Sequence, residues 1–230
     1  MGILGLVRAV VGFPMRLLKR GGSGAGAPGP SAADPTRWLI VGLGNPGKRF
    51  VATRHNAGFD VLDRLAADES IAFIDGPSRM RAKLGAGVVC GVPVVLAKPQ
   101  TFMNLSGESV KRILRHYAIP SSRMLVVYDD LDTPVGSLKL KGKGGHGGHN
   151  GVRNIIDEVP GCEGKSFPRL KVGVGRPAEG VPVYDHVLTR FDENQRAMLE
   201  GGTFGEACEA VRGVLTNGMD KTMTAVNNKK

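Results

Sequence analysis

The chain has 230 residues, a formal net charge of +10 and a pI near 9.8, so it is long enough for one domain with a real core, and its basic surplus suits a polyanionic partner. No run of about 18 apolar residues offers a membrane-spanning helix. The three cysteines, Cys90, Cys162 and Cys208, form no C-x-x-C pair, which argues against a disulfide framework or a thiolate zinc site and suits a reducing compartment.

Residues 1–33 contain no Asp or Glu but hold Arg8, Arg16, Lys19 and Arg20. On a helical wheel those four cations share an arc of roughly 120°. Ile3, Leu6, Val10, Phe13, Leu17 and their neighbours fill the rest. Pro14 would kink or split such a helix. The stretch "GGSGAGAPGPSAADP" (21–35) that follows cannot bury a core. A basic, acid-free amphipathic start with a flexible spacer has the composition of an organelle transit peptide. Residues 1–35 are therefore expected to be a targeting segment and linker, and 36–230 the working domain. The domain itself stays basic, because the segment holds only four of the 31 Lys and Arg residues.

"WLIVGL" (38–43) reads as a buried strand, and "NAGFDVLDRLAADE" (56–69) has helical spacing at Phe59, Leu62 and Leu65. Residues 83–99 read as two strands around a Cys90-Gly91 turn, and 106–119 as a helix ending before Pro120. "MLVVYDDLD" (124–132) is a strand with acids at its end, 137–141 a short strand, 150–159 a short helix and 169–175 a strand. Residues 202–218 form a helix with Gly218 where a cap belongs. Strands and helices interleave, which predicts a single α/β domain with a mixed, twisted sheet flanked by helices.

Gly42, Gly44 and Gly47 spell G-x-G-x-x-G after the first strand, the outline of a dinucleotide-binding turn. That fold needs the third glycine to lead straight into a helix whose amides hold the pyrophosphate. Here Pro46 removes an amide and the first good helix starts about ten residues late. The glycines instead predict a sharp bend that lets Asn45 project from the sheet edge. A nucleotide-dependent oxidoreductase is disfavoured for the same reason.

Other polar residues stand at strand ends or helix starts, where open α/β sheets place their sites. They are His55, Asn104 within "KPQTFMNLSG" (98–107), Asp129 within "YDDLD", and His146, His149 and Asn150 within "KGGHGGHNG" (143–151). Together with "GLGNPG" and "TRHNAGF", these stretches make residues 37–225 resemble the bacterial-type peptidyl-tRNA hydrolases, including their plant and algal organellar members. The resemblance implies an esterase that cuts the bond between a peptide's carboxyl and the terminal ribose of tRNA, recycling tRNA from aborted translation.

By that resemblance His55 is the catalytic base and Asp129 the acid that orients it, with Asn45 completing the catalytic set. Phe50, Met103, Asn104, His149 and Asn150 hold the substrate. An amide offers a donor and an acceptor, so the asparagines can grip a peptide backbone without reading side chains. Asn104 is the candidate donor to the developing oxyanion. Lys141 and Lys171 align with the pair that grips the tRNA 5′-phosphate, and Lys139, Lys143, Arg153 and Arg169 would widen that patch. Phe50 stands where bacterial members often carry Tyr, and Lys171 where they carry Arg.

No metal and no cofactor are implied. The expected partner is peptidyl-tRNA, bound by its acceptor stem and 3′ end, and the protein is expected to be a monomer without integral membrane association, in a mitochondrion or chloroplast (alternatively the cytoplasm). One other member type must be weighed, the organellar group II intron splicing factors, which are non-catalytic binding scaffolds. Their loop carries Arg where this chain has Gly148, and their acid motif lacks the second aspartate of Asp129–Asp132. An arginine at 148 would crowd the cleft that takes the tRNA end.

Overall fold

A computed structural model describes residues 34–164 and 166–229. The expected targeting segment lies, but for its last two residues, outside the described residues. In chain order the elements are β1 (Trp38–Gly42), α1 (Ala57–Asp68), β2 (Ile74–Asp75), β3 (Ala82–Val89), β4 (Val92–Pro99), α2 (Ser106–Tyr117), β5 (Met124–Asp130), β6 (Leu138–Lys141), α3 (Asn150–Glu158), β7 (Arg169–Gly173), α4 (Val183–Leu188), α5 (Glu193–Met198), α6 (Phe204–Asn217) and α7 (Met219–Asn227). The strands form one seven-stranded sheet in the order β2-β3-β4-β1-β5-β7-β6.

The sheet is mixed. β1 pairs in parallel with β4 and β5, and β5 in parallel with β7, while β2–β3, β3–β4 and β6–β7 are antiparallel. The central strands are apolar over most of their length because both faces are covered. Ile40, Leu125 and Val127 pack with α1 and α6 through Val61, Leu65 and Val211. Leu39, Val41 and Val126 pack with α2 and α3 through Ile113 and Ile155.

The predicted strands and long helices are present, with ends shifted by a few residues. β2, α4, α5 and α7 were not expected. The predicted helix at 202–218 is α6, entered through a π turn at Leu199–Thr203. Gly218 takes φ +81 and ends it. At the sheet edge, Leu140 donates its N–H to Asn227 Oδ1 at 2.8 Å, and Asn227 Nδ2 returns a bond to Leu140 O at 2.9 Å.

Two glycines of the first turn, Gly42 and Gly44, exist for close approach. A Cβ on Gly42 would lie 2.3 Å from Gly58 O, and one on Gly44 2.7 Å from the Phe59 ring. Gly47 takes φ +105. A Cβ on Gly58 would meet Val127 O at 2.3 Å and Leu43 N at 2.6 Å, all rigid backbone. The start of α1 is thus pressed onto the ends of β1 and β5, where the polar residues gather. Gly58→Ala must push the helix off the sheet. Overpacking typically costs about 1–3 kcal/mol or more, so the melting temperature should fall by about 5–10 °C in a thermal scan.

Candidate active site

β1 runs into a loop whose Leu43 N–H still donates to Val127 O at 2.9 Å. Two residues on, Asn45 is locked in place by its neighbours. Its backbone N–H donates to Asn56 Oδ1 at 2.8 Å, and Asn56 Nδ2 donates to Asn45 O at 3.0 Å. Asn45 Oδ1 accepts from the Met103 N–H at 2.8 Å. With its oxygen committed, the Asn45 amide offers its NH₂ to the cleft it lines.

His55 sits in the 3₁₀ turn Arg54–Asn56 that leads into α1. The Arg54 guanidinium fixes this turn, donating to Thr189 Oγ1 (2.8 Å), Arg190 O (2.7 Å) and Gln195 Oε1 (2.9 Å) just beyond α4. His55 Nδ1 lies 2.9 and 3.0 Å from the two carboxylate oxygens of Asp129, which is 3% exposed at the end of β5.

The same carboxylate receives a second ring. His149 Nε2 lies 3.0 Å from Asp129 Oδ1, and its Nδ1 accepts the Val152 N–H at 3.2 Å as the N-cap of α3. That cap fixes the tautomer: Nδ1 supplies a lone pair, so the proton is on Nε2 and points at Asp129. Burial disfavours charge on His149 and outweighs the nearby carboxylate, so its pKa lies below the ordinary histidine value. Burial also works against charging His55, but there Asp129 wins, and the pKa is raised. For Asp129 burial alone would raise the pKa, yet electrostatic attraction to the two histidines and the hydrogen bonds with them hold it well below the usual carboxylate range. The result is an ionised carboxylate holding a neutral His149 and orienting His55, whose Nε2 is left as a basic lone pair.

These residues line a cleft of about 690 Å³. All eight expected catalytic and substrate-holding residues border it: Asn45, Phe50, His55, Met103, Asn104, Asp129, His149 and Asn150. Asn104 and Asn150 are exposed, while Phe50 is buried with the Arg49 guanidinium 4.5 Å above its ring. Gly148 borders the cleft at φ +82 with open space around a Cβ, so a side chain there is opposed by the backbone rather than by crowding.

Lys141 and Lys171 do not border the cleft. They share one face of the β6–β7 pair, where Lys141 opposes Arg169 and Lys171 opposes Lys139. Lys171 Nζ is paired with Asp130 Oδ1 at 2.5 Å, while Lys141 has no carboxylate partner among the described residues. Arg169 does not widen a surface patch. It is 1% exposed, lies 4.1 Å over the Phe167 ring, and donates to Gly144 O and Gly145 O, holding the glycine-rich loop.

Two parts of the site have no sequence-level expectation. Asn56 lies within "TRHNAGF", but among the described residues its amide serves only the Asn45 backbone. The outer wall is α4, through Val183, Tyr184, Val187 and Leu188, and its six residues are too few for a periodic signal.

His55, Asp129 and His149 also present donor atoms within 4.8 Å of one another, the spacing of a metal-ligand set. Yet His149 carries its proton on the atom that would have to ligate, and both rings are satisfied by the carboxylate. The donor set fits proton transfer better than metal binding.

The family model for peptidyl-tRNA hydrolase matches residues 39–230. A chloroplastic peptidyl-tRNA hydrolase of Arabidopsis thaliana is 50% identical over 193 residues, 84% of this chain and 65% of that one, so the chain spans just under two thirds of that relative. A mitochondrial peptidyl-tRNA hydrolase of Oryza sativa is 45% identical, over 83% of this chain and 74% of its own. The crystal structure of peptidyl-tRNA hydrolase from Acinetobacter baumannii superposes with a TM-score of 0.78 at 35% identity, covering 87% of this chain and 99% of that one. A chloroplastic group IIB intron splicing facilitator of Arabidopsis thaliana is 38% identical over 84% of this chain and 78% of its own.

Proposed function

The chain belongs to the peptidyl-tRNA hydrolase family, and from that premise we propose that it hydrolyses the ester of peptidyl-tRNA, releasing tRNA and peptide, with His55 as general base. The observation that carries the reading is the Asp129 carboxylate on His55 Nδ1, which leaves Nε2 to take a proton from water in the cleft. Water then attacks the ester carbonyl, and the proton later passes from the imidazolium to the departing ribose oxygen. Asn104 donates to the oxyanion, and the Asn45 NH₂ grips the peptide backbone. Met103, Phe50, His149 and Asn150 shape the walls around the scissile bond.

The test is release of free tRNA from a peptidyl-tRNA, measured with and without a strong chelator. Equal rates are expected in both. Loss of activity in chelator would move the chemistry to a metal, and no release at all would favour the splicing-scaffold reading suggested by the 38% identical relative.

The 5′-phosphate is assigned to Lys141 and Lys171. With Lys171 shared with Asp130, Lys141 supplies most of the free charge. Lys141→Ala should raise KM on full peptidyl-tRNA with little change in kcat, and leave a peptidyl-adenosine, which has no acceptor stem, unaffected. Equal losses on both substrates would remove the assignment.

An organellar location accompanies the reading, supported by the plant relatives named chloroplastic and mitochondrial. Residues 1–35 are assigned to targeting. Fused to a fluorescent reporter they should carry it into an organelle, and a reporter left in the cytosol would end that assignment.

A further inference from the structure

The arginines of the two helical layers are treated differently. On the side of α1, α5 and α6 they are neutralised: Arg64 pairs with Asp68, Arg196 with Asp60 and Glu200, and Arg212 with Asp68, Glu69 and Glu209. On the exposed face of α2, Arg112 and Arg115 have no carboxylate partner among the described residues, and neither does Arg79 in the 3₁₀ turn Ser78–Met80 beside them. Arg112 and Arg79 are instead tied to this face itself. Arg112 donates to Arg79 O at 2.7 Å, and Arg79 donates to His116 Nδ1 at 3.2 Å. The acids nearby, Glu108 and Glu158, are each taken by another cation, Arg81 at 3.7 Å and Lys111 at 3.5 Å.

Arg112 and Arg115 are three residues apart on one helix face, where like charges repel. An uncompensated cluster of this kind is relieved by a polyanion, and planar guanidinium forks match phosphate oxygens. The face lies away from the lysines assigned to the 5′-phosphate. β3, next to Arg79, stands four and five strand positions from β7 and β6, roughly 20–25 Å across the sheet. A surface built to lie in a membrane interface would also need apolar anchors. The large exposed apolar residues, among them Val51, Val88, Phe102, Tyr184 and Met198, all lie outside α2 and the Ser78–Met80 turn.

We propose that Arg79, Arg112 and Arg115 form a second RNA-phosphate contact, separate from the cleft and from the 5′-phosphate lysines. It reads backbone, not sequence, and needs no 3′ end. The surface therefore holds the phosphate backbone of an RNA duplex away from the ester-bearing terminus.

The experiment uses the full chain and a blunt RNA hairpin with no single-stranded 3′ end and no ester, so its result stands apart from the hydrolase reading. Binding is followed by fluorescence anisotropy over a salt series, for the parent, Arg79→Gln/Arg112→Gln/Arg115→Gln, and Arg115→Gln alone. Each arginine–phosphate pair removed should flatten the plot of log K against log salt by about 0.7–0.9. The triple variant should lose about two units of slope and tenfold or more in affinity at 0.1 M salt, while keeping the parent's kcat on peptidyl-adenosine. The Arg115 side chain makes no hydrogen bond or ion pair among the described residues, so its single variant reports charge without disturbing the fold. Unchanged affinity and slope in both variants would overturn the proposal. So would loss of binding to phosphatidylglycerol vesicles with RNA binding intact, which would make the surface a membrane contact.

Discussion

Asp129→Asn should lower turnover by about 10²–10⁴-fold, and the reason is a forced proton, not a lost charge alone. The Val152 N–H fixes His149 with its proton on Nε2, aimed at Asp129 Oδ1. In the amide variant the oxygen must face that N–H. The NH₂ then falls where the second carboxylate oxygen now meets His55 Nδ1 at 3.0 Å. A donor there opposes an N–H on Nδ1, and the one oxygen left within reach, 2.9 Å away, is shared with His149, so the tautomer with the His55 proton on Nε2, where the base needs a lone pair, gains over the active one. Binding of tRNA should be little changed, since Asp129 is buried and makes no contact that a phosphate would replace. Single-turnover release of tRNA, beside equilibrium binding of the same substrate, separates the two effects. Near-normal turnover in the variant would show that the orientation of His55 does not matter.

His55→Ala should cost about 10²–10⁴-fold in kcat, the usual worth of general-base help, with KM nearly unchanged. The pH dependence follows from the direction of the shift. Asp129 raises the His55 pKa, so the inactive imidazolium persists to higher pH than in a free histidine. Parent activity should therefore rise with pH through a midpoint above about 6.5, the ordinary histidine value. The residual activity of His55→Ala should lose that limb. A limb that survived the substitution would belong to another group, and the base would have to be sought elsewhere in the cleft.

The strands that carry the site were legible because apolar runs such as "WLIVG" and "MLVVY" occur only where a sheet is covered on both faces. The glycines of the first turn were legible as non-dinucleotide from Pro46 and from the late start of the first helix. Their actual purpose was not, because the partner of Gly42 is Gly58, brought there by the fold. His55 and Asp129 are 74 positions apart, and only the family resemblance linked them before the structure placed them 2.9 Å apart. The tautomer of His149 depends on a helix cap, and the partial neutralisation of Lys171 on a side chain from the next strand. Neither leaves a trace in composition or spacing. α4 and α7 escaped notice because one is only six residues long, and the apolar stripe of the other is three half-buried residues, Met219, Met223 and Val226, near the chain's end.

The Asn227 amide has a consequence of its own. β6 is an outer strand, and a bare outer strand invites a neighbouring molecule to extend the sheet. Asn227 occupies the outward N–H and C=O of Leu140 with the two-bond pattern another chain would use. The β6 edge is closed at Leu140 by an imitation of the strand it lacks. Copies of the protein are thus hindered from stacking through this edge in a crowded compartment. Replacing Asn227 with a residue that has no amide would reopen that edge, and the cost would surface first as self-association on concentration rather than as slower chemistry.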